Sequence, residues 1–153
     1  MKIKAKKSLG QNFLIDKNII KKIVEVGNIN NESIVLEIGA GTGNLTEYIL
    51  KKNPKKLFII EKDKNLVDII NKKFGKKIHT INDDVLNVSE NLIYPEKLIV
   101  FGNLPYNIST QILSKWITNE NQKNWYENYI LMFQKEVADR ILATTNSKHY
   151  GRL

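Results

Sequence analysis

Three glycines at alternate positions, in Glu37-Ile38-Gly39-Ala40-Gly41-Thr42-Gly43, directly follow the apolar, β-branched run that begins at Ile34. Glycines so spaced let the backbone take φ values that other residues avoid, and without Cβ atoms a flat ligand can lie against the main chain. Polar residues recur at comparable points further along. Glu61 follows Leu57-Phe58-Ile59-Ile60, Asp84 follows a run ending at Ile81, and Asn103 follows Leu98-Ile99-Val100-Phe101. A carboxylate at Glu61 can accept both hydroxyl hydrogens of a ribose, Asp84 can accept from an adenine amino group, and the glycine turn can approach the rest of the ligand. That chemistry is nucleoside binding. A nicotinamide dinucleotide also wants glycines after the first strand and an acid about twenty residues later, but it requires G-x-G-x-x-G to seat a pyrophosphate. Here Asn44 stands at the last glycine position.

The elements that must carry these residues are legible from apolar spacing. Asp16 reads as an N-cap for a helix with Ile19, Ile20, Ile23, Val24 and Val26 on its apolar face, ending at Gly27. A strand over Ile34 to Ile38 enters the glycine turn, and Asn44 or Thr42 caps a helix that buries Leu45, Tyr48 and Ile49 before Asn53-Pro54. A strand over Leu57 to Ile60 leads to a helix capped by Asp63, with Leu66, Ile69, Ile70 and Phe74 inward and Gly75 as its stop. Further strands are expected over Lys77 to Ile81, Leu98 to Phe101 and Tyr129 to Phe133, with a helical turn at Val88 to Leu92. A helix carries Ile108, Ile112, Leu113, Trp116 and Ile117, and a last one from near Gln134 turns Val137, Ala138, Ile141 and Leu142 inward. Five alternations of strand and helix predict an α/β fold with a parallel sheet, whose ligand crevice lies at the carboxyl ends of the strands. Gly39, Glu61, Asp84 and Asn103 then share one edge.

Composition bounds the partners. At 153 residues and 42% hydrophobic content, one domain over 1–153 is expected. There is no cysteine, which removes disulfides and thiolate metal sites and points to a reducing, cytoplasmic setting. His79 and His149 are far apart, so no metal site is expected. Lys2, Lys4, Lys6 and Lys7 make the start too hydrophilic for a secretory signal, and no apolar run is long enough to cross a bilayer. The net charge of +8 favours a polyanionic partner, with nucleic acid the leading candidate, although lysine is abundant throughout.

The E-x-G-x-G-x-G form of Glu37 to Gly43 resembles class I S-adenosylmethionine-dependent methyltransferases, which have a Rossmann-like sheet. Asn103-Leu104-Pro105-Tyr106 resembles the N/D-P-P-Y/F signature of enzymes that methylate exocyclic amino groups of bases. The residue types suit that reaction. An adenine N6 lone pair is delocalised into the ring, so the site must hold the amine with the lone pair aimed at the sulfonium methyl. The Asn103 side-chain oxygen and the Leu104 carbonyl can each accept an N6 hydrogen, Pro105 stiffens the turn, and Tyr106 offers a ring on which an extruded base stacks. Trp116 and Trp125 are assigned to packing or surface.

Together with Lys7-Ser8-Leu9-Gly10-Gln11-Asn12-Phe13-Leu14 and Phe133-Gln134-Lys135-Glu136-Val137-Ala138, these motifs are very similar to the ribosomal RNA adenine N6,N6-dimethyltransferases of the small subunit. The resemblance implies two methyl groups placed on each of two adjacent adenosines near the 3′ end of small-subunit ribosomal RNA, with S-adenosyl-L-methionine as donor; a monomer is expected. By position it implies that Asn12 and Leu14 close over the methionine end, Gly39 and Gly41 lie against the cofactor, Glu61 holds the ribose, Asp84 meets the adenine, and Asn103 contacts cofactor and target base. A sister family that methylates large-subunit RNA shares Gln11-Asn12-Phe13 and Tyr106 to Thr110 but typically has isoleucine at the place of Leu104 and lacks the Ser-Leu-Gly lead-in. A DNA adenine methyltransferase, or a non-catalytic ribosome-assembly factor that keeps the fold for binding, would also carry a site of this kind. Gln111 departs from a frequent proline. Relatives continue past Tyr150-Gly151-Arg152-Leu153 with further strands and a small helical domain, so a truncated catalytic domain is expected, one that binds the cofactor whether or not it turns over.

Overall fold

A computed structural model of the chain describes residues 12–90, 93–105, 107–118 and 125–151. The lead-in through Gln11, part of the Val88 to Leu92 turn, and Tyr106 lie outside the described residues. The helices are α1 (Lys17–Val26), α2 (Asn44–Leu50), α3 (Lys64–Phe74), α4 (Ser109–Thr118) and α5 (Lys135–Ile141). The strands are β1 (Ile34–Ile38), β2 (Lys56–Ile60), β3 (His79–Ile81), β4 (Leu98–Asn103) and β5 (Tyr126–Met132). All five strands are parallel, in the order β3-β2-β1-β4-β5. The chain first winds outward from β1 to β3 and then crosses back to β4 on the other side of β1. Strand direction and the reversal of winding beside β1 together open a crevice at the carboxyl end of that strand.

Alternation along each central strand fills two cores. Val35, Leu57, Ile59, Ile99 and Phe101 pack on the side of Ile20, Val24, Leu45, Ile49 and Ile70, which belong to α1, α2 and α3. Ile34, Leu36, Ile38, Ile60, Leu98 and Val100 pack on the opposite side with Ile112 and Trp116 of α4. Strands buried on both faces need apolar residues at every position, and this is why they read as continuous runs. Glu37 breaks the run. It falls on the Val35 side and is 1% exposed.

Several local expectations are corrected. Ile20 and Val24 form the buried stripe of α1, whereas Ile19 and Val26 are exposed, because three- and four-residue spacing rotates those two away from Ile20 and Val24. The cap of α2 is Gly43 at φ 77°, with no side-chain bond, and Asn44 donates instead to Leu14 O at 2.9 Å. β3 begins only at His79, after a 3₁₀ turn over Gly75–Lys77, and β5 runs three residues earlier than expected at its start and stops at Met132. α5 buries none of its residues, and Leu142 beyond it is 79% exposed. β5 is the edge strand, so among the described residues there is no further layer against which the apolar side of α5 could close.

Asp16 and Asp63 do cap their helices, Asp16 by accepting from Asn18 N and Ile19 N and Asp63 by accepting from Asn65 N. Trp116 and Trp125 are buried and meet edge to face at 5.7 Å. Among the described residues, no helix is long and apolar enough to cross a membrane.

Gly43 shows how tightly the turn is fitted. A Cβ there would lie 2.6 Å from the Phe74 ring in a left-handed backbone. Gly43→Ala is therefore expected to destabilise the chain by about 2 kcal/mol or more, from the φ cost and the overpacking together, read as a lower urea midpoint.

Candidate functional site

The carboxyl edge holds a cavity of about 1060 Å³, part of it open to solvent. β1 delivers Gly39 and Gly41, both in the left-handed region at φ 69° and 57°. β2 delivers Glu61, the loop after β3 delivers Asp83 and Asp84, and β4 delivers Asn103 with Pro105 close behind. The arm before α1 closes one wall with Asn12, Phe13 and Leu14. Eight of the residues that the sequence marks, namely Asn12, Leu14, Gly39, Gly41, Glu61, Asp84, Asn103 and Pro105, thus line a single cavity. Leu104 is the exception among the described ones: it is 1% exposed, with its side chain in the core beside α4. Any part it plays at the site falls to its carbonyl.

Hydrogen bonds fix each piece. Gly39 N donates to Ile60 O at 2.8 Å, which anchors the turn to β2. The Glu61 carboxylate accepts from Gly41 N at 3.1 Å and from Asp63 N at 2.9 Å, so one side chain holds the glycine turn and the start of α3. Burial pushes the Glu61 carboxyl above its usual range, against the pull of those two backbone donors. Asn103 donates through Nδ2 to Asn12 O at 2.6 Å, and this leaves the amide oxygen as the acceptor of that side chain. Asn44 holds the arm one turn further on, through Leu14 O. The Phe13 ring lies over Gly41, where a Cβ would stand only 3.0 Å from it. The arm is therefore seated by two amides and one aromatic contact.

Asp84 accepts from Lys62 Nζ at 2.8 Å and from Leu86 N at 3.0 Å, and the Lys62 ammonium holds its carboxyl below the usual range. Glu37 lies deeper. Burial pushes its carboxyl up to about 7, the Glu61 charge adds to the shift, and Thr46 opposes it. Its Oε2 is buried with no hydrogen-bond partner. In the sequence Glu37 stands out only as the first letter of a motif; the signal that marks it as a site residue is a carboxylate inside an otherwise apolar buried strand.

A second cavity, of about 720 Å³ including open solvent, shares Asn12, Phe13, Leu14 and Asn103 with the first and adds Ile15, Asp16, Met132 and Phe133. Asn103 stands between the two. Nothing in the sequence marks Met132 as a site residue, and Phe133 stands out only as the first residue of a family motif, because both line this cavity beside the arm, from the far end of β5.

The lining fits S-adenosyl-L-methionine better than a pyrophosphate. Glu37, Glu61, Asp83 and Asp84 face one lysine, Lys62, which Asp84 already pairs. Such a balance attracts an ammonium and a sulfonium and repels phosphate. The orphaned Glu37 oxygen suits a cationic donor, and open space over Gly39, where a Cβ would meet only Asn103 O at 3.9 Å, suits a flat ligand.

Comparison with known proteins agrees with this geometry. The chain is 60% identical over 153 residues to a ribosomal RNA small subunit methyltransferase A of Pelagibacter ubique, covering 100% of this chain and 58% of that protein. It is 48% identical over 155 residues to the protein of that name from Ehrlichia ruminantium, again covering 58% of the relative. The chain thus spans somewhat over half the length of these curated relatives. A crystal structure of a dimethyladenosine transferase from Plasmodium falciparum superposes with a TM-score of 0.78 at 31% identity, over 91% of this chain and 49% of that one. That of the 23S rRNA methyltransferase ErmE gives 0.73 at 26% identity, over 84% and 50%. The parallel α/β sheet is that of the S-adenosylmethionine-dependent methyltransferases. The family profile described as ribosomal RNA adenine dimethylase matches residues 2–153, and the chain belongs to that family.

Proposed function

We propose that this chain binds S-adenosyl-L-methionine and forms the catalytic part of an enzyme that dimethylates N6 of two adjacent adenosines near the 3′ end of small-subunit ribosomal RNA. The observation that carries the reading is the meeting of Gly39, Gly41, Glu61 and Asp84 with Asn103 in one cavity. In this reading Glu61 accepts from the ribose hydroxyls, Asp84 from the adenine amine, and the seated arm, with Asn12 and Leu14, covers the methionine end. The bound cofactor supplies an electrophilic methyl on a sulfonium. Asn103 Oδ1 and the Leu104 carbonyl hold the two N6 hydrogens of the target, and Pro105 keeps that turn rigid. Tyr106 supplies a stacking surface. No base is needed before transfer, because the nitrogen becomes acidic only once it is alkylated and water then takes the proton. The partner is the small ribosomal subunit, and the compartment is the one in which that subunit is assembled.

The second cavity, with Phe133, Met132 and Phe13 around Asn103, receives the extruded base in this reading, since it reaches the acceptor residue and includes none of the glycine turn in its lining. Phe133→Ala should raise the KM for the RNA substrate about tenfold and leave the Kd for cofactor within about twofold, because one lost stacking contact is worth about 1 to 3 kcal/mol. Equal weakening of both would place Phe133 outside the base pocket.

Methyl incorporation from labelled cofactor into undermethylated small subunits, beside naked large-subunit RNA, tests the assignment as a whole. Label in two adjacent adenosines of the small subunit is the expected result. Label in large-subunit RNA alone, or in neither, would replace it.

A further inference from the structure

A second polar cluster lies away from the cavity, between α4 and the loop that follows β3. Lys115, on the inner side of α4, donates to Val85 O at 2.9 Å, Val88 O at 2.6 Å and Glu90 Oε1 at 2.9 Å. Three ammonium hydrogens meet three acceptors within six residues of one loop. Trp116, the next residue, donates through Nε1 to the same Glu90 oxygen at 2.7 Å. Glu90 is fully buried, and its other oxygen has no partner. A buried ion pair of this kind is a weak source of stability, since the cost of taking both charges out of water offsets their attraction. What three bonds from one side chain do supply is a fixed path for the loop.

That loop begins with Asp83 and Asp84, which line the cofactor cavity, and Asp84 is bonded within it to Leu86 N. At its other end α4 grows directly from the turn that holds Asn103, with Ile108 N donating to Pro105 O and Ile112 N to Ile108 O. Lys115 therefore joins the helix that follows the target-base turn to the loop that carries the adenine acceptor.

We propose that Lys115, with Glu90 as its counter-ion, is a positioning residue that sets Asp84 against the cofactor's adenine amine. The proposal rests on the reading above in which Asp84 accepts from that amine. Lys115 does not touch the nucleoside. It acts by holding the Val85 and Val88 carbonyls, so that the Asp84 carboxylate keeps one place at the cavity wall while Lys62 holds it from the β2 side.

The test compares two ligands that differ at the adenine amine alone. The purine-riboside analogue of S-adenosylhomocysteine carries a hydrogen on C6 in place of the amine and keeps N1 as an acceptor, so only S-adenosylhomocysteine can donate to Asp84 from that position. The chain as it stands should prefer S-adenosylhomocysteine by roughly tenfold or more, the size of a hydrogen bond to a charged group. Lys115→Met combined with Glu90→Gln removes both charges together and keeps an acceptor for Trp116, so the fold is not left with a lone buried ion. Calorimetric Kd values for this variant should show a preference reduced to about threefold or less, through weaker binding of S-adenosylhomocysteine with little change for its purine-riboside analogue. An undiminished preference, or equal weakening of both ligands, overturns the proposal and leaves the cluster a structural one. Asp84→Ala separates the two levels. If it abolishes the preference while the double variant does not, the positioning role alone fails; if it leaves the preference intact, the Asp84 reading fails and the positioning role with it.

Discussion

Asn103→Ala should lower methyl transfer to small subunits by about 10²- to 10³-fold while the Kd for S-adenosyl-L-methionine rises no more than about tenfold. The larger loss comes from the acceptor oxygen. With Nδ2 bound to Asn12 O at 2.6 Å, the amide cannot rotate freely, and in the proposed reading its Oδ1 is the acceptor that aligns the incoming amine. The smaller loss comes from the arm, which keeps its second tether at Leu14 through Asn44 and its contact of Phe13 with Gly41. Asn103→Asp separates the two parts. It retains an acceptor but gives up the donor to Asn12 and places a carboxylate against that carbonyl, so its activity should fall between the natural chain and the alanine variant, with the arm looser. Single-turnover transfer with cofactor saturating reads the first part, and equilibrium binding of cofactor reads the second. A variant whose cofactor affinity collapses as far as its turnover would assign Asn103 to the arm alone.

What can be read from the sequence is what depends on neighbours in the chain. The strand Ile34–Ile38, the alternate glycines and the carboxylate closing β2 are local patterns, and parallel pairing of β1 with β2 and β4 then forces Gly39, Glu61 and Asn103 to one edge. Asn44 reads as a cap because a short amide before a helix usually serves that purpose. In the folded chain it bonds Leu14 instead, thirty residues away, and the positive φ of Gly43 leaves the helix start without a side-chain cap. The apolar stripe of α5 reads as core because periodicity reports that a face is apolar, not that anything covers it. Met132 and Lys115 are illegible as site or positioning residues, and Phe133 shows only as the start of a motif with no stated role, for a related reason. Their neighbours are the arm and the loop after β3, and no spacing within either segment announces the meeting.

Affinity for S-adenosyl-L-methionine should rise as pH increases from about 5.5 to about 7 and then level, and Glu37→Gln should flatten most of that dependence, leaving the part that belongs to Glu61, whose carboxyl burial also pushes up. The cause is the carboxyl inside β1, pushed up to about 7 by burial and by Glu61, with one oxygen unpartnered at the wall of an acidic cavity. A cation brought beside it favours the ionised form, so binding lowers its pKa and releases a proton; below 7 that proton must be displaced, which costs up to about tenfold in affinity per pH unit. Stability without ligand should run the other way. An unfolded glutamate titrates near 4.5 and the folded one near 7, so the folded state holds the extra proton between these values and loses stability as pH rises through that window. Above pH 7 the loss reaches about 3 kcal/mol, because each tenfold difference in proton affinity between the folded and unfolded chain is worth about 1.4 kcal/mol. Glu37→Gln should therefore be the more stable chain at pH 8 and the weaker binder of cofactor there, and urea unfolding with and without ligand at pH 5.5 and 8 measures both signs. A natural chain whose urea midpoint does not fall between those two pH values would show that Glu37 is not held protonated, and the pH dependence of binding assigned to it would then fail as well.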